Sequence, residues 1–380
     1  MPTPPAYLDY AATTPIDDRV LHAMLGCMGR QGCFANPASS HGFGSAARAR
    51  VEAARQQVAQ ALGAVAGDMV WTSGATESNN LAIKGIAQGD ASRRHLVSSV
   101  LEHKAVIDTL QHLERHGFAV TWLQPDAAGL IQPEAVKAAL RSDTLLVSLM
   151  WVNNELGTLT DVAAIGEAVR AHGALLHVDA VQAAGKLAID LSQLPIDLLS
   201  VSAHKVYGPK GVGALYVGPR ARPQLAAQMH GGGHEGGLRS GTLPTHQLVG
   251  MGTAFELAEQ LREAEQARIA ELAAYLRDGL LGLPGVSLNG CPDQRIANTI
   301  NVHVAAPGFS SQALASEVAV SATSACSSAG ASHVLQALGL PDEQARRSVR
   351  LSLGRYSERA DVERAIAAVR AVLSAPAPMW

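Results

Sequence analysis

The chain has 380 residues, 47% of them hydrophobic and 17% charged, with a formal net charge of -3. That length exceeds what a single core usually spans, so two domains are expected. The charge balance provides no basic stripe for nucleic acid and no like-charged tail, and no run of about 18 apolar residues is long enough to cross a membrane.

The opening segment MPTPPAYLDYAATTP lacks the basic and apolar regions of a secretory leader, so a cytoplasmic location is expected. Ala47, Val51, Ala54, Val58 and Leu62 then mark one face of a helix that Gly63 ends. MVWTS (69–73), HLVSSV (95–100), VTWLQ (120–124), TLLVSLMWV (144–152), ALLHVDA (174–180), DLLSVSA (197–203) and GALYVG (213–218) follow as short runs, most of them apolar on both faces. Such runs, alternating with helical segments, predict buried strands of an α/β sheet covered by helices. Between two of them Val162, Ile165 and Val169 line a helix that Gly173 stops. The low-complexity patch GGGHEGG (231–237) reads as a loop. After about residue 259 a long charged helix leads into GVSLNG, TINVHV and RLSLGR, strands of a second and smaller sheet. The predicted division is a large domain over 15–259 and a small α+β domain over 1–14 and 260–380.

Cys27, Cys33, Cys291 and Cys326 include no CxxC pair, which argues against a disulfide framework or a zinc site. In SAHKVYGPKGVGALYVG (202–218), Lys205 follows a strand, where a lysine can form a Schiff base with an aldehyde cofactor or simply decorate a loop. Asp179 ends the strand ALLHVDA, placed either to hold a protonated ring nitrogen or to cap a helix. TSGATESNNLAIKG (72–85) combines a strand, a glycine and a helix start, which suits a phosphate loop with Thr76 and suits an ordinary N-cap as well. Cys326 lies in SATSACSSAG, a polar small-residue stretch without hydrophobic period that reads as a mobile loop; a lone cysteine is more often a small buried hydrophobe than a nucleophile, but so many serines and alanines around it argue against burial.

YLDYAATTP, NPASSHGFG, SGATESNNLAIKG, EHKAV, VNNELG, HVDAVQAAGK, SAHKVYGPKG, RSGTLP, SATSACSSAG and RLSLGR occur in this order between about residues 7 and 360. Together they closely resemble the NifS/IscS-like cysteine desulfurases, pyridoxal-phosphate (PLP) enzymes of fold type I in the class V aminotransferase family. The resemblance implies a mostly parallel seven-stranded sheet in the large domain and a small domain that carries the Cys326 loop. It implies that Lys205 is the Schiff-base lysine, that His103 stacks on the cofactor ring and shuttles protons, that Asp179 meets the pyridinium nitrogen, and that Gln182 and Asn154 lie at the hydroxyl edge. Ala75, Thr76, Ser202 and His204 would hold the phosphate, with Thr242 reaching in from the second subunit of a homodimer. Arg350 would clamp the L-cysteine carboxylate, Asn36 and Asn154 would lie at the substrate entrance, and Cys326 would take the sulfur as a persulfide.

The family also implies a sulfur-acceptor protein serving iron-sulfur clusters, thiolated tRNA or other cofactors. Gly236 stands where the family commonly carries arginine, and the chain stops at PAPMW without the longer tail of the housekeeping members. A dedicated pathway with its own acceptor is therefore expected. A selenocysteine lyase or another class V aminotransferase-family enzyme would share Lys205 and Asp179, and Cys326 separates those readings from desulfuration.

Overall fold

The computed structural model describes residues 4–90, 92–322 and 331–375. In chain order it runs β1 (Ala6–Tyr7), α1 (Asp18–Leu25), α2 (Gly42–Ala61), β2 (Met69–Thr72), α3 (Ala75–Gly89), β3 (His95–Ser99) and α4 (Lys104–Arg115). There follow β4 (Ala119–Leu123), α5 (Pro133–Ala139), β5 (Thr144–Met150), α6 (Val162–His172), β6 (Leu175–Asp179), β7 (Leu198–Ser202) and β8 (Gly213–Val217). The rest comprises α7 (Thr245–Leu281), β9 (Val286–Leu288), β10 (Thr299–Val304), β11 (Val318–Ala319), α8 (His333–Ala337), α9 (Asp342–Arg346), β12 (Ser348–Ser352) and α10 (Arg359–Ser374).

The seven apolar runs form one sheet in the order β2-β8-β7-β6-β5-β3-β4. Only β8 runs against its neighbours, so the sheet is mostly parallel, as expected for an α/β fold. Every residue of β2, β3, β5, β6, β7 and β8 is buried, because helices cover both faces. The edge strand β4 is exposed at Ala119 and buried only at Leu123. On one face Val147, Leu149 and Val178 pack with α2, α6 and the first half of α7, and on the other Leu96, Leu146 and Leu198 pack with α3 and α4.

Local chemistry explains why these helices start and stop where they do. Asp161 caps α6 by accepting from the Ala164 N–H at 3.0 Å, and Gly173 ends it at a φ of 89°, a left-handed conformation that a side chain would oppose. Val162, Ile165 and Val169 are buried along its inner face, each worth roughly 1.5–3 kcal/mol of transfer free energy.

A second cluster joins β9, β10 and β12, in the order β12-β10-β9, to α10 and the far half of α7. Helix α7 has 37 residues, about 55 Å at 1.5 Å per residue, and starts well before the charged segment that announces it. Leu248, Met251 and Phe255 bury against the large sheet, while Ile269, Leu276 and Leu280 bury against the small one. The helix passes unbroken through position 259/260.

The N-terminal segment ties the two together. β1 pairs in parallel with β11, Ala6 opposite Val318, and the Ala11 N–H donates to Ser352 Oγ at 2.8 Å. Arg355 binds Asp17 (2.6 Å) and Glu265 while its guanidinium lies 4.1 Å over the Tyr207 ring. That arrangement joins the start of α1, the middle of α7 and the chain after β12.

Candidate active site

The C-terminal ends of β2, β3, β5, β6 and β7 open on a cavity of about 450 Å³, the place where parallel α/β sheets expose loop side chains and helix N-termini. It is lined by Ala75, Thr76, His103, Asn154, Asp179, Gln182, Ser202, His204, Lys205 and Arg350 among others. Residues more than 270 positions apart in the chain are thus brought to one crevice.

At one end lies the start of α3. Its N-cap is Gly74, at φ 148°, and no side chain caps the helix, so the first N–H groups remain available to an anion. The approach of β8 demands small residues here, since a Cβ on Gly213 would fall 2.6 Å from the Val201 carbonyl oxygen and 2.7 Å from Gly74 Cα. Glu77, in the same helical turn, would repel an anion, but it is held by the Ser73 N–H at 2.8 Å and by Arg239 Nε at 2.8 Å. The arginine neutralises it and, despite the opposing effect of burial, the carboxyl stays below its ordinary range.

In the middle, Asp179 is buried at the end of β6, with Oδ2 accepting from Asn79 Nδ2 at 2.8 Å and Oδ1 from the Val181 N–H at 3.1 Å. Both contacts are donors, so they fix the orientation of the carboxyl group. His103 caps α4, its Nδ1 accepting from the Ala105 N–H at 3.1 Å. That leaves Nδ1 unprotonated and assigns any ring proton to Nε2. Burial lowers the affinity of the His103 ring for a second proton, against the pull of Asp179.

Lys205 ends a short turn after β7, and its Nζ donates to the Ala11 and Ala12 carbonyl oxygens at 2.6 and 2.8 Å. His204 beside it meets Thr13 Oγ1 at 3.1 Å and is pushed down to about 4 by burial, then by the charge of Lys205 and Lys210. It is a neutral ring near pH 7. Gln182 donates from Nε2 to the Ala11 carbonyl oxygen at 2.9 Å.

At the far end, Arg350 in β12 is 1% exposed and donates from Nη2 to Asp9 Oδ1 (2.8 Å) and from Nη1 to the Asn154 carbonyl oxygen (2.8 Å). Its Nε is buried with no partner among the described residues, a donor left for an acceptor such as a carboxylate.

Asn36 and Thr242 lie away from this cavity and are both exposed. Asn36 accepts from the Ala38 N–H at 2.9 Å and lines a different groove with Arg55, Glu235 and Leu243. Cys326 lies outside the described residues. The flanks of its segment are placed: Ser321 Oγ donates to Asp9 Oδ2 at 2.9 Å, and Ser332 Oγ donates to Glu155 Oε2 at 2.5 Å. Both flanks therefore attach next to the Arg350–Asn154 end of the crevice.

Sequence reasoning missed Asn79, Asp9, the Ala11 and Ala12 carbonyls and the Glu77–Arg239 pair. No spacing rule marks them, because each matters through a partner 100 to 341 residues away. The chemistry available is an amine, a carboxylate, a neutral imidazole and an anion-binding helix start around a single space, with an arginine at its edge.

The aminotransferase class-V family model matches residues 6–365. The chain is 54% identical to cysteine desulfurase IscS of Acinetobacter baumannii (strain AYE), over 99% of this chain and 95% of that protein. It is 51% identical to cysteine desulfurase IscS of Azotobacter vinelandii, with the same coverage. Among solved structures, a NifS-like protein superposes with a TM-score of 0.90 at 33% identity, covering 97% of this chain and 99% of that one. SspA in complex with cysteine superposes with a TM-score of 0.83 at 39% identity, covering 93% and 100%.

Proposed function

The chain belongs to the aminotransferase class-V family as a cysteine desulfurase, and from that premise we propose that PLP sits in the crevice on Lys205 and that Cys326 takes the sulfur of L-cysteine. The residues present fit the cofactor: an uncapped helix start for a phosphate, a buried carboxylate for a ring nitrogen, and an amine for an aldehyde. PLP, when bound, supplies an electron-withdrawing ring that labilises bonds around the substrate α-carbon.

Asp179 would keep a proton on the ring nitrogen, and Ala75, Thr76, Ser202 and His204 would surround the phosphate. Lys205 Nζ, released from its carbonyl partners, would remove the α-proton of the substrate. Arg350 would hold the substrate carboxylate, its planar guanidinium fixing the orientation that a lysine would leave loose. His103, with Nδ1 occupied by the Ala105 N–H, has only Nε2 with which to pass protons.

In the overall exchange the Cβ–S bond of L-cysteine breaks, an S–S bond forms at Cys326, and the thiol protons pass to the product L-alanine and the persulfide. The tethering of Ser321 and Ser332 beside Arg350 and Asn154 supports Cys326 as the acceptor. The observation that carries the reading is the meeting of Lys205, Asp179 and the α3 start in one cavity.

The reading extends to a homodimer in which Thr242 completes the partner's phosphate site, with Asn36 at the substrate entrance. It includes the division into 15–259 and 1–14 plus 260–380, a cytoplasmic location, and delivery of sulfur to a scaffold or carrier protein. Among the described residues no helix is long and apolar enough to cross a membrane.

Brief exposure of the purified protein to L-cysteine without reductant tests the reading. One extra sulfur atom is expected on the peptide containing Cys326. Cys326→Ser should bind cofactor and substrate while forming L-alanine at least 100-fold more slowly, since a hydroxyl is a far poorer nucleophile toward sulfur, a loss of about 3 kcal/mol in barrier terms. Sulfur mapping to Cys27, Cys33 or Cys291 instead would refute the assignment.

A further inference from the structure

Lys205 also lines a second, small cavity of about 20 Å³, which it shares with another lysine, Lys186. Lys186 reaches it because the chain after β6 winds through helical turns, with Ala184 N–H donating to Ala180 O (2.9 Å) and Leu187 N–H to Ala183 O (2.9 Å). Gln182 and Lys186, four residues apart, therefore project from the same side. Gly185, at φ 72°, lets this segment press on the residue after Lys205, since a Cβ there would fall 2.8 Å from Val206 Cγ1.

The hydrogen bonds of Gln182 are directional. Nε2 donates to the Ala11 carbonyl oxygen at 2.9 Å, and Oε1 accepts from Lys186 Nζ at 3.4 Å. With the carbonyl end facing an ammonium, the amide cannot flip without placing N–H against N–H. The second hydrogen on Nε2 is left for the cavity that Gln182 lines.

We propose that Lys186 is a positioning residue: it fixes the Gln182 carboxamide as a hydrogen-bond donor toward the bound cofactor and places a like charge near Lys205. The inference rests on the cofactor reading above. Among the described residues no carboxylate forms an ion pair with Lys186. Glu265, the acid lining the shared cavity, is bound by Arg355, and the remaining ionisable groups there are Tyr10, Tyr207 and Lys205. Burial pushes the Lys186 ammonium down to about 7, and Lys205 adds to the effect. Lys186 thus holds its proton less firmly than an ordinary lysine, and its repulsion acts back on Lys205 by linkage.

The test is a spectrophotometric pH titration of the bound cofactor's colour in the holoenzyme, with no substrate present. Removing the charge and the donor makes the lysine-linked nitrogen hold its proton more firmly, so Lys186→Met should raise the colour midpoint by about one pH unit. Lys186→Arg, which keeps both features, should return it toward wild type. Lys186→Gln provides the measurement if the methionine variant fails to fold, and should shift the midpoint in the same direction. Coloured Lys186→Met and Lys186→Gln proteins with the wild-type midpoint overturn this inference and leave the cofactor reading standing. A wild-type protein that takes up no PLP at Lys205 overturns both.

Discussion

Glu102, one residue before His103, is 1% exposed, and Ser99 Oγ donates to its Oε1 at 2.7 Å. Its Oε2 is buried without a partner among the described residues. Burial pushes this carboxyl up to about 8, only partly opposed by hydrogen bonds from Ser99 and the Met150 backbone. A raised value in the folded state means that the group's stabilising contribution is complete below the unfolded value near 4.5 and is lost as pH rises through about 8. Glu102→Gln should therefore match wild type near pH 4 and exceed it at pH 8 by on the order of 3 kcal/mol. Denaturant midpoints measured across that range check this, and parallel curves for the two proteins would count against it. Glu102 also shows where sequence reading stops. Asp179 and Lys205 stand out in the sequence at or just past strand ends, whereas His103 is singled out only by the family resemblance. Glu102, Asn79 and Lys186 draw their character from burial and distant neighbours, which no local pattern records.

Among the elements, all seven strands of the large sheet are legible in the apolar runs, with boundaries displaced by one or two residues. Helix α7 is the main departure. Its first turns, THQLVGMGTAF, contain Gly250 and Gly252, which weaken a helical pattern by roughly 1 kcal/mol each relative to alanine. The structure explains them as contact sites. A Cβ on Gly250 would fall 2.7 Å from Met24 Sδ of α1, and one on Gly252 would fall 2.7 Å from Ala54 Cα of α2. Backbone cannot yield as a side chain can, so Gly252→Ala should lower stability by about 1–3 kcal/mol despite alanine's better propensity. Gly279→Ala on the same helix is the control, because the new methyl meets the tip of Ile366. Thermal unfolding of both variants decides the matter: equal or higher stability for Gly252→Ala would mean that α2 and α7 can move apart freely. The β1–β11 pair was not legible at all. Two-residue strands more than 300 positions apart have no periodicity to betray them.

At the scale of the whole molecule, Thr242 is exposed outside its own cavity, yet Arg239, three residues earlier, is bonded to Glu77 in the first turn of α3. A loop anchored beside one crevice and presenting its threonine outward supports the shared-site dimer. If each site takes Lys205 from one chain and Thr242 from the other, mixing inactive Lys205→Ala and Thr242→Ala proteins restores one intact site in each mixed dimer. Random equimolar exchange then yields about a quarter of wild-type activity, since half the dimers are mixed and each has one working site of two. A mixture no more active than its two components would exclude the shared site.

The threading of the N-terminal segment also sets an order on synthesis. Ala11 and Ala12 hold the Lys205 amine, Asp9 holds Arg350, and Ala6 pairs with Val318. On a ribosome adding about 5–20 residues per second, residues 6–12 emerge first, while Val318 and Arg350 follow tens of seconds later. The large sheet can close in the meantime from contacts among residues 69–217, but the segment at its mouth has to wait for β11 and β12. Completion of the crevice thus depends on β11 and β12, and a nascent chain lacking them would lack the partners that hold Asp9 and Ala6 in place.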